Sequence, residues 1–183
     1  MLELLNPVKW LIITTFASLS VTAADVTFIP HDNWLAQNVE FEEIAVLKAQ
    51  IEKIEKLEIK NRGEAHITTI TPPEFEILAQ KLSILKINEL ALKAKIQTLP
   101  FKKICIGRGQ SQKNQTQKTY FVVIKSEGLF NLRRKIQKDF EKLGGKGFDA
   151  EHFYPHITVG FTHSDLHEND GVIKNEKSCI QNL

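Results

Sequence analysis

The tripeptide His-Ile-Thr occurs twice in this sequence of 183 residues. The first copy begins at His66 and the second at His156, 90 residues later. An imidazole has a pKa of about 6.5, so a histidine can remove a proton as a general base or donate one as a general acid near neutral pH. Two histidines that face one substrate could therefore divide the two proton transfers of a single reaction. The alternative is that both are ordinary exposed or core histidines on unrelated strands.

Both copies lie in segments with the composition of β-strands, Ala65 to Thr71 and Phe153 to Phe161. Because side chains alternate between the two faces of a strand, each histidine shares a face with the threonine two residues later. Ile67 and Ile157 point to the opposite face, and Gly160 leaves space beside the second polar pair. The pattern predicts a polar surface for a substrate, with an apolar core behind it.

Other segments must position these strands. Apolar residues recur every three or four positions in three of them, which predicts amphipathic helices from Phe41 to Lys60, from Glu74 to about Ile96, and from Leu129 to Leu143. Two further strands, Phe101 to Gly109 and Lys118 to Ser126, are joined by a polar loop and predict a hairpin.

The two ends of the chain carry weaker signals. Asp25 to Trp34 has β-type residues followed by Pro30 and an Asp-Asn turn signal, so we expect a short strand that leads into a loop. The polar tail after His163 predicts no clear element. Helices alternating with strands, together with the hairpin, predict an α+β fold with antiparallel pairing.

The two motifs resemble those of the 2H phosphoesterase family, which carries a pair of His-x-Thr/Ser motifs on the central strands of two lobes. The matching residues are Ala65 to Thr68 and Tyr154 to Gly160. The stretches RGEAHITTITPPEF and FYPHITVGFTHSDLHENDGV resemble in particular the Swiss-army-knife RNA-repair branch. The resemblance covers roughly Asp25 to Val172 and implies a bilobal fold, in which two pseudo-symmetric antiparallel-sheet lobes with outer helices enclose a central groove.

The resemblance also implies an activity. The chain would be a metal-independent phosphodiesterase that needs no cofactor, with His66 and His156 as general acid and base and with Thr68 and Thr158 binding phosphate. Its substrates would be 2′,3′-cyclic phosphates of RNA ends, cyclic nucleotides or 2′-5′ linkages, and the same site could run in reverse as a ligase. No obligate protein partner is implied. The alternatives are a module that binds or senses nucleotides without turnover, and an exported structural domain.

Two further residues are candidates for substrate contact. Arg108 lies between Gly107 and Gly109, where its guanidinium could reach a phosphate, although a hairpin corner would explain it equally well. Tyr154 could stack on a base, but an aromatic residue before a core strand also suits packing. Arg133 and Arg134 are interpreted as solvated helix residues.

The histidines at positions 152, 156, 163 and 167 raise the possibility of a zinc site. Four residues along a strand span about 13 Å, which is too far for two of them to clamp one ion, so no metal site is predicted. The segment from Asp165 to Gly171 also lacks the spacing of a calcium loop.

Composition and the N-terminus bear on location. Twenty-four basic residues against 22 acidic ones give a net charge of +2, which is too small to predict a strongly basic surface for non-specific nucleic-acid binding. An uncharged run from Trp10 to Val21 ends near small residues, which predicts a signal peptide over 1–24 and one domain over 25–183. We therefore expect a secreted or periplasmic protein without a membrane anchor after processing, or a cytoplasmic one if that run is a core element.

Export would place Cys105 and Cys179 in a compartment where disulfides form. The sequence leaves open whether they pair or remain two free thiols.

Overall fold

The computed structural model describes residues 27–183, so the predicted signal peptide lies outside the described residues. Six strands form one sheet, and in chain order they are β1 (Leu35–Val39), β2 (Ala65–Ile70), β3 (Lys102–Gln110), β4 (Lys118–Lys125), β5 (His156–Phe161) and β6 (Cys179–Asn182). Their order across the sheet is β1-β2-β5-β4-β3-β6, and all neighbours pair antiparallel. The two strands that carry His-Ile-Thr are therefore neighbours in the interior of the sheet.

Four helices complete the architecture: α1 (Phe41–Glu55), α2 (Pro72–Leu78), α3 (Ile84–Lys93) and α4 (Glu127–Lys142). Buried residues of every helix share one apolar core with Ile67 of β2 and Ile157 of β5. The helices therefore cover the sheet face that lies opposite the histidines. The α+β class, the β3–β4 hairpin and the antiparallel pairing predicted from the sequence are confirmed.

The two halves of the sheet meet at a short seam. Strands β2 and β5 share one register pair, Ile67 with Ile157, and both residues are fully buried. The lobes implied by the family resemblance are thus joined into one continuous sheet at the strands that carry the motifs.

The helix predicted from Glu74 to about Ile96 is wrong as a single element. The chain turns after α2, and α3 restarts at Ser83, whose hydroxyl accepts a hydrogen bond from the amide of Lys86 at 3.2 Å. An N-terminal cap of this kind satisfies an amide that lacks a helical partner, so it favours a new helix start. Pro72 occupies the first turn of α2, where a missing N–H costs nothing.

The helix predicted to reach Lys60 ends earlier, at Glu55. Lys56 adopts the left-handed conformation, with φ of 52°, and terminates α1. Lys60 instead exchanges two backbone hydrogen bonds with Phe161 at the end of β5, of 2.8 and 2.9 Å. This pairing fastens the loop before β2 to the strand that carries the second motif.

The short strand expected from Asp25 to Trp34 is absent from residues 27–34, and β1 begins at Leu35 instead. The sequence LAQNV has little strand propensity, but it pairs along β2 and buries Gln37, whose side-chain amide donates to the carbonyl of Leu99 at 2.8 Å. Tertiary pairing therefore overrides local composition here.

The tail after His163 is ordered by long-range contacts. Residues 162–178, which we call the returning segment, fold back over the open face of the sheet and bury Leu166 and Val172 against Phe121. Strand β6 then pairs with β3, and Cys105 and Cys179 form a disulfide with a Cα–Cα distance of 5.7 Å. Within residues 27–183, no helix has the length and apolar character needed to cross a membrane.

Candidate active site

The register of the central strands sets the geometry of the two motifs. Ile67 lies opposite Ile157, so continuing the antiparallel register by one residue in each direction places His66 opposite Thr158 and Thr68 opposite His156. The two histidines therefore occupy one diagonal of a four-residue square and the two threonines the other. The backbone positions of diagonal neighbours in such a pair are about 7–8 Å apart, a spacing from which two side chains on one face can reach the same small ligand.

The backbone fixes the tautomer of His156. Its Nδ1 lies 2.8 Å from the carbonyl oxygen of Tyr154, and because a carbonyl can only accept, Nδ1 carries the hydrogen. In the neutral ring, Nε2 therefore presents a lone pair. Burial and the Lys174 ammonium hold the pKa of His156 far below its ordinary value, so the ring stays neutral and suits the role of general base.

His66 has different neighbours. Its Nδ1 lies 3.7 Å from a carboxylate oxygen of Glu64, and its ring packs at a tilt against Trp34 with a centroid distance of 4.9 Å. His31 stacks on that tryptophan at 3.7 Å. Burial lowers the pKa of His66, and the Glu64 carboxylate acts in the opposite direction. Of the two histidines, His66 is thus the one with an anion at its ring nitrogen to support the protonated form.

The two threonines also differ. The hydroxyl of Thr158 donates to Oδ2 of Asp165 at 3.1 Å, whereas that of Thr68 makes no hydrogen bond with any residue in the described part of the chain. Thr68 therefore has a free donor for a phosphate oxygen. The hydroxyl hydrogen of Thr158 must rotate from Asp165 towards a ligand before Thr158 can donate to that ligand, because a hydroxyl has one hydrogen.

The structure does not bring Arg108 to this site. Its guanidinium pairs with Glu55 at 3.2 Å, and the same carboxylate accepts the Tyr120 hydroxyl at 3.0 Å on the sheet face that the helices cover. The flanking glycines allow close packing on the other sheet face, since a Cβ at Gly107 would collide with Phe121 and one at Gly109 with Val172. The structure therefore places Arg108 on the sheet face opposite the two histidines, and its phosphate contact stays a prediction.

Tyr154 reaches the site through its backbone. Its carbonyl orients His156, while its ring contacts His152 edge to face, with a centroid distance of 5.3 Å. The predicted base-stacking role of this ring stays a prediction.

A cation that the sequence did not single out lies close to the site. Arg62 is exposed on the loop before β2, and it is near enough to His66, His167 and Lys174 to lower the pKa of each. The side chain of Arg62 has no hydrogen bond or ion pair among residues 27–183. Its position four residues before His66 was the one feature of the sequence that could have indicated a role at the site. An arginine in a polar loop is too common for that feature to be informative.

Arg133 was predicted to be solvated and is instead fully buried. Its guanidinium donates to the carbonyl of Thr69 in β2 at 2.7 Å and to that of Ala150 in the loop before β5 at 2.9 Å, and it pairs with Glu74 at 2.8 Å. One side chain thereby ties the backbone that follows the first motif to the loop that leads into the second.

Residues 27–183 contain no cluster of three or more His, Cys, Asp or Glu side chains arranged to hold a metal ion. A family model described as the Swiss Army Knife, 2H phosphoesterase domain matches residues 33–167. This range includes both motifs and Asp165 but ends before Lys174 and Cys179. No curated protein matches the chain significantly.

Proposed function

This chain belongs to the Swiss Army Knife branch of the 2H phosphoesterases, and on that premise we propose that it hydrolyses 2′,3′-cyclic phosphates of RNA ends or nucleotides without a metal ion. The observation that carries the proposal is the diagonal placement of His66 and His156 about the Ile67–Ile157 pair. With that placement, a proton acceptor and a proton donor would lie on two sides of one bound phosphate, as displacement at phosphorus requires.

His156 is the base in this mechanism. Its bare Nε2 removes a proton from water as the water oxygen forms a bond to phosphorus. His66, in its protonated form, donates to the ribose oxygen as the bond between that oxygen and phosphorus breaks. One proton enters at His156 and one leaves from His66, so exchange with solvent restores the resting state after each turnover.

The assignment follows from the charges beside the two rings. Glu64 lies next to His66 and favours the imidazolium, whereas Lys174 lies close to His156 and disfavours it. A general acid must begin protonated and a general base unprotonated. Glu64 and Lys174 therefore assign the acid role to His66 and the base role to His156, although the two motifs are otherwise equivalent.

The phosphate itself needs donors and positive charge. Thr68 offers a free hydroxyl, Thr158 offers a second one once it leaves Asp165, and Arg62 replaces Arg108 as the proposed arginine contact. Donors aimed at the nonbridging oxygens stabilise the negative charge that grows there in the transition state.

The proposed substrate is an RNA end or a small cyclic nucleotide, with 2′-5′ linkages and the reverse, ligating direction open to the same groups. We also propose that the protein works outside the cytosol. The leader-like residues 1–24 support this location, and so does the Cys105–Cys179 disulfide, because such bonds persist in oxidising compartments.

The test is hydrolysis of nucleoside 2′,3′-cyclic phosphates in EDTA by wild type, His66→Ala, His156→Ala and the exposed-histidine control His163→Ala. General acid and base steps each contribute about 10²- to 10⁴-fold in rate, so both site variants should lose turnover by at least about 100-fold while the control keeps it. Activity that survives in either site variant would contradict the two-histidine mechanism. Binding of the nucleotide by an inert wild type would instead favour a sensing module.

A further inference from the structure

A buried ion pair lies beside the proposed active site, on the returning segment. The Nζ atom of Lys174 is 2.7 Å from Oδ1 of Asp165, and the side chains are 3% and 7% exposed, respectively. Buried charges are costly to desolvate, and an ion pair of this kind contributes little net stability compared with apolar residues of similar size. A role in function would account for keeping both charges in this position.

The two carboxylate oxygens of Asp165 bind different partners. Its Oδ1 accepts from Lys174 and, at 2.6 Å, from the hydroxyl of Thr119 on β4, while its Oδ2 accepts the hydroxyl of Thr158 at 3.1 Å. One oxygen is thereby anchored by a cation and a buried hydroxyl. The other holds the motif threonine in a fixed orientation.

The ring of Phe121 contacts both Lys174 and His156. Its ammonium lies 5.6 Å from the centre of Phe121, and that ring meets the His156 ring edge to face at 5.9 Å. Strand β4 faces His156 with Phe121 and Val123, both apolar. Strand β2 faces His156 with the diagonal neighbour His66. The charged groups that shift the pKa of His156 are Lys174, Asp165 and His167, all from the returning segment.

Lys174 lies outside the range that the family model matches, which ends at residue 167. The Cys105–Cys179 disulfide and the pairing of β6 with β3 fix the chain at Cys179, directly after the returning segment and five residues after this lysine. This part of the site is thus supplied by chain beyond the matched domain.

We propose that the Asp165–Lys174 pair is a positioning element of the active site, in which Lys174 holds the Asp165 carboxylate so that it fixes the side-chain rotamer of Thr158, and in which the pair sets the charge next to His156. Oδ1 keeps its two donors when Thr158 turns to a bound phosphate, so the carboxylate is not left uncompensated. The proposal rests on the proposed function, because it assigns Thr158 and His156 to substrate. Lys174 itself is too deeply buried to touch substrate and acts through these two residues.

The experiment compares Lys174→Met with the double variant Asp165→Asn/Lys174→Met and with Lys177→Met, an exposed lysine on the same segment. Each is measured by the kcat and KM for a cyclic phosphate across pH, and by an NMR titration of the His156 imidazole. The double variant carries no unpaired buried charge, so it reports on the site even if Lys174→Met unfolds.

The double variant should lose about 100-fold in kcat/KM, which is the loss of rate expected when a group that binds substrate is misplaced by about 1 Å. Lys177→Met should match wild type. In Lys174→Met, loss of the ammonium should move the His156 titration and the acidic limb of kcat/KM to higher pH. A folded double variant with wild-type kinetics, or an unmoved His156 titration in folded Lys174→Met, would overturn the positioning role. The NMR titration needs no turnover, so a shifted His156 in a protein that cleaves nothing would support the pair while rejecting the proposed function.

Discussion

The backbone of Ile67 pairs with that of Ile157, and both side chains are fully buried behind the two histidines. This one register pair joins the motif strands. Shortening Ile157 to Ala should therefore leave a cavity under the site and lower the free energy of unfolding by about 2–5 kcal/mol, measured by urea denaturation. Leu85→Ala is the control, because that side chain is 77% exposed and should change stability little. Equal losses in the two variants would contradict the buried pairing.

The activity should depend on pH in a bell-shaped way with its optimum on the acidic side of neutrality. Catalysis as proposed needs neutral His156 and protonated His66, so kcat/KM rises as His156 loses its proton and falls as His66 loses its own. Both pKa values are lowered from 6.5, so the falling limb should lie below pH 6.5.

The variant Glu64→Gln tests which histidine controls that falling limb. Glu64 raises the pKa of His66, whereas Arg62 and His31 lower it, so removing the carboxylate should move the limb to still lower pH. A kcat/KM profile across pH 4–8 measures the shift, and an upward or absent shift would contradict His66 as the acid.

Arg62 and Arg108 make a matched pair for testing the phosphate contact. Arg62 is exposed beside His66, whereas Arg108 is held by Glu55 on the opposite sheet face. A hydrogen bond to a charged group is worth about 1.5–3 kcal/mol, and solvent screening reduces that at an exposed position, so Arg62→Met should raise KM roughly 10-fold. Arg108→Met should leave KM unchanged. The reverse result in steady-state kinetics would restore Arg108 as the substrate contact.

Replacing Arg133 should lower the stability of the protein far more than replacing Arg134. Replacing it with Met leaves the carbonyls of Thr69 and Ala150 without their donor and Glu74 without its cation, which should cost about 3–5 kcal/mol of stability in thermal or urea unfolding. Arg134→Met is the control, because this side chain is exposed and its ion pairs are screened by water. Similar melting temperatures for the two variants would argue against the buried network.

The motif strands could be predicted from sequence because the evidence for them is local. Alternation along a strand is enough to put His66 with Thr68 and His156 with Thr158. The restart of α3 was also encoded locally, since Ser83 is a good N-terminal cap, but the continuing apolar period obscured it.

Long-range contacts explain what the sequence did not reveal. In FKKICIGRG both faces of β3 carry apolar residues. The sequence therefore did not indicate that Arg108 shares with Ile106 the sheet face that the helices cover. Asp165 and Lys174 meet across a loop whose composition is ordinary, and only the folded chain brings them under Thr158. Position 133 lies at helical spacing from Leu129 and Ile136 on the buried face of α4, but an arginine is rarely buried without partners, and its partners are distant in the sequence.

The antiparallel seam between the motifs also bears on the direction of the reaction. A half-turn about the Ile67–Ile157 pair exchanges the two His-Ile-Thr segments, so their backbones treat the attacking and departing oxygens alike. In the proposed mechanism, Glu64 on one side and Lys174 on the other break this equivalence, so water would enter on the His156 side and the ribose would leave on the His66 side. Exchanging the charged neighbours, with both histidines untouched, is thus the change that would reverse the orientation in which a substrate binds.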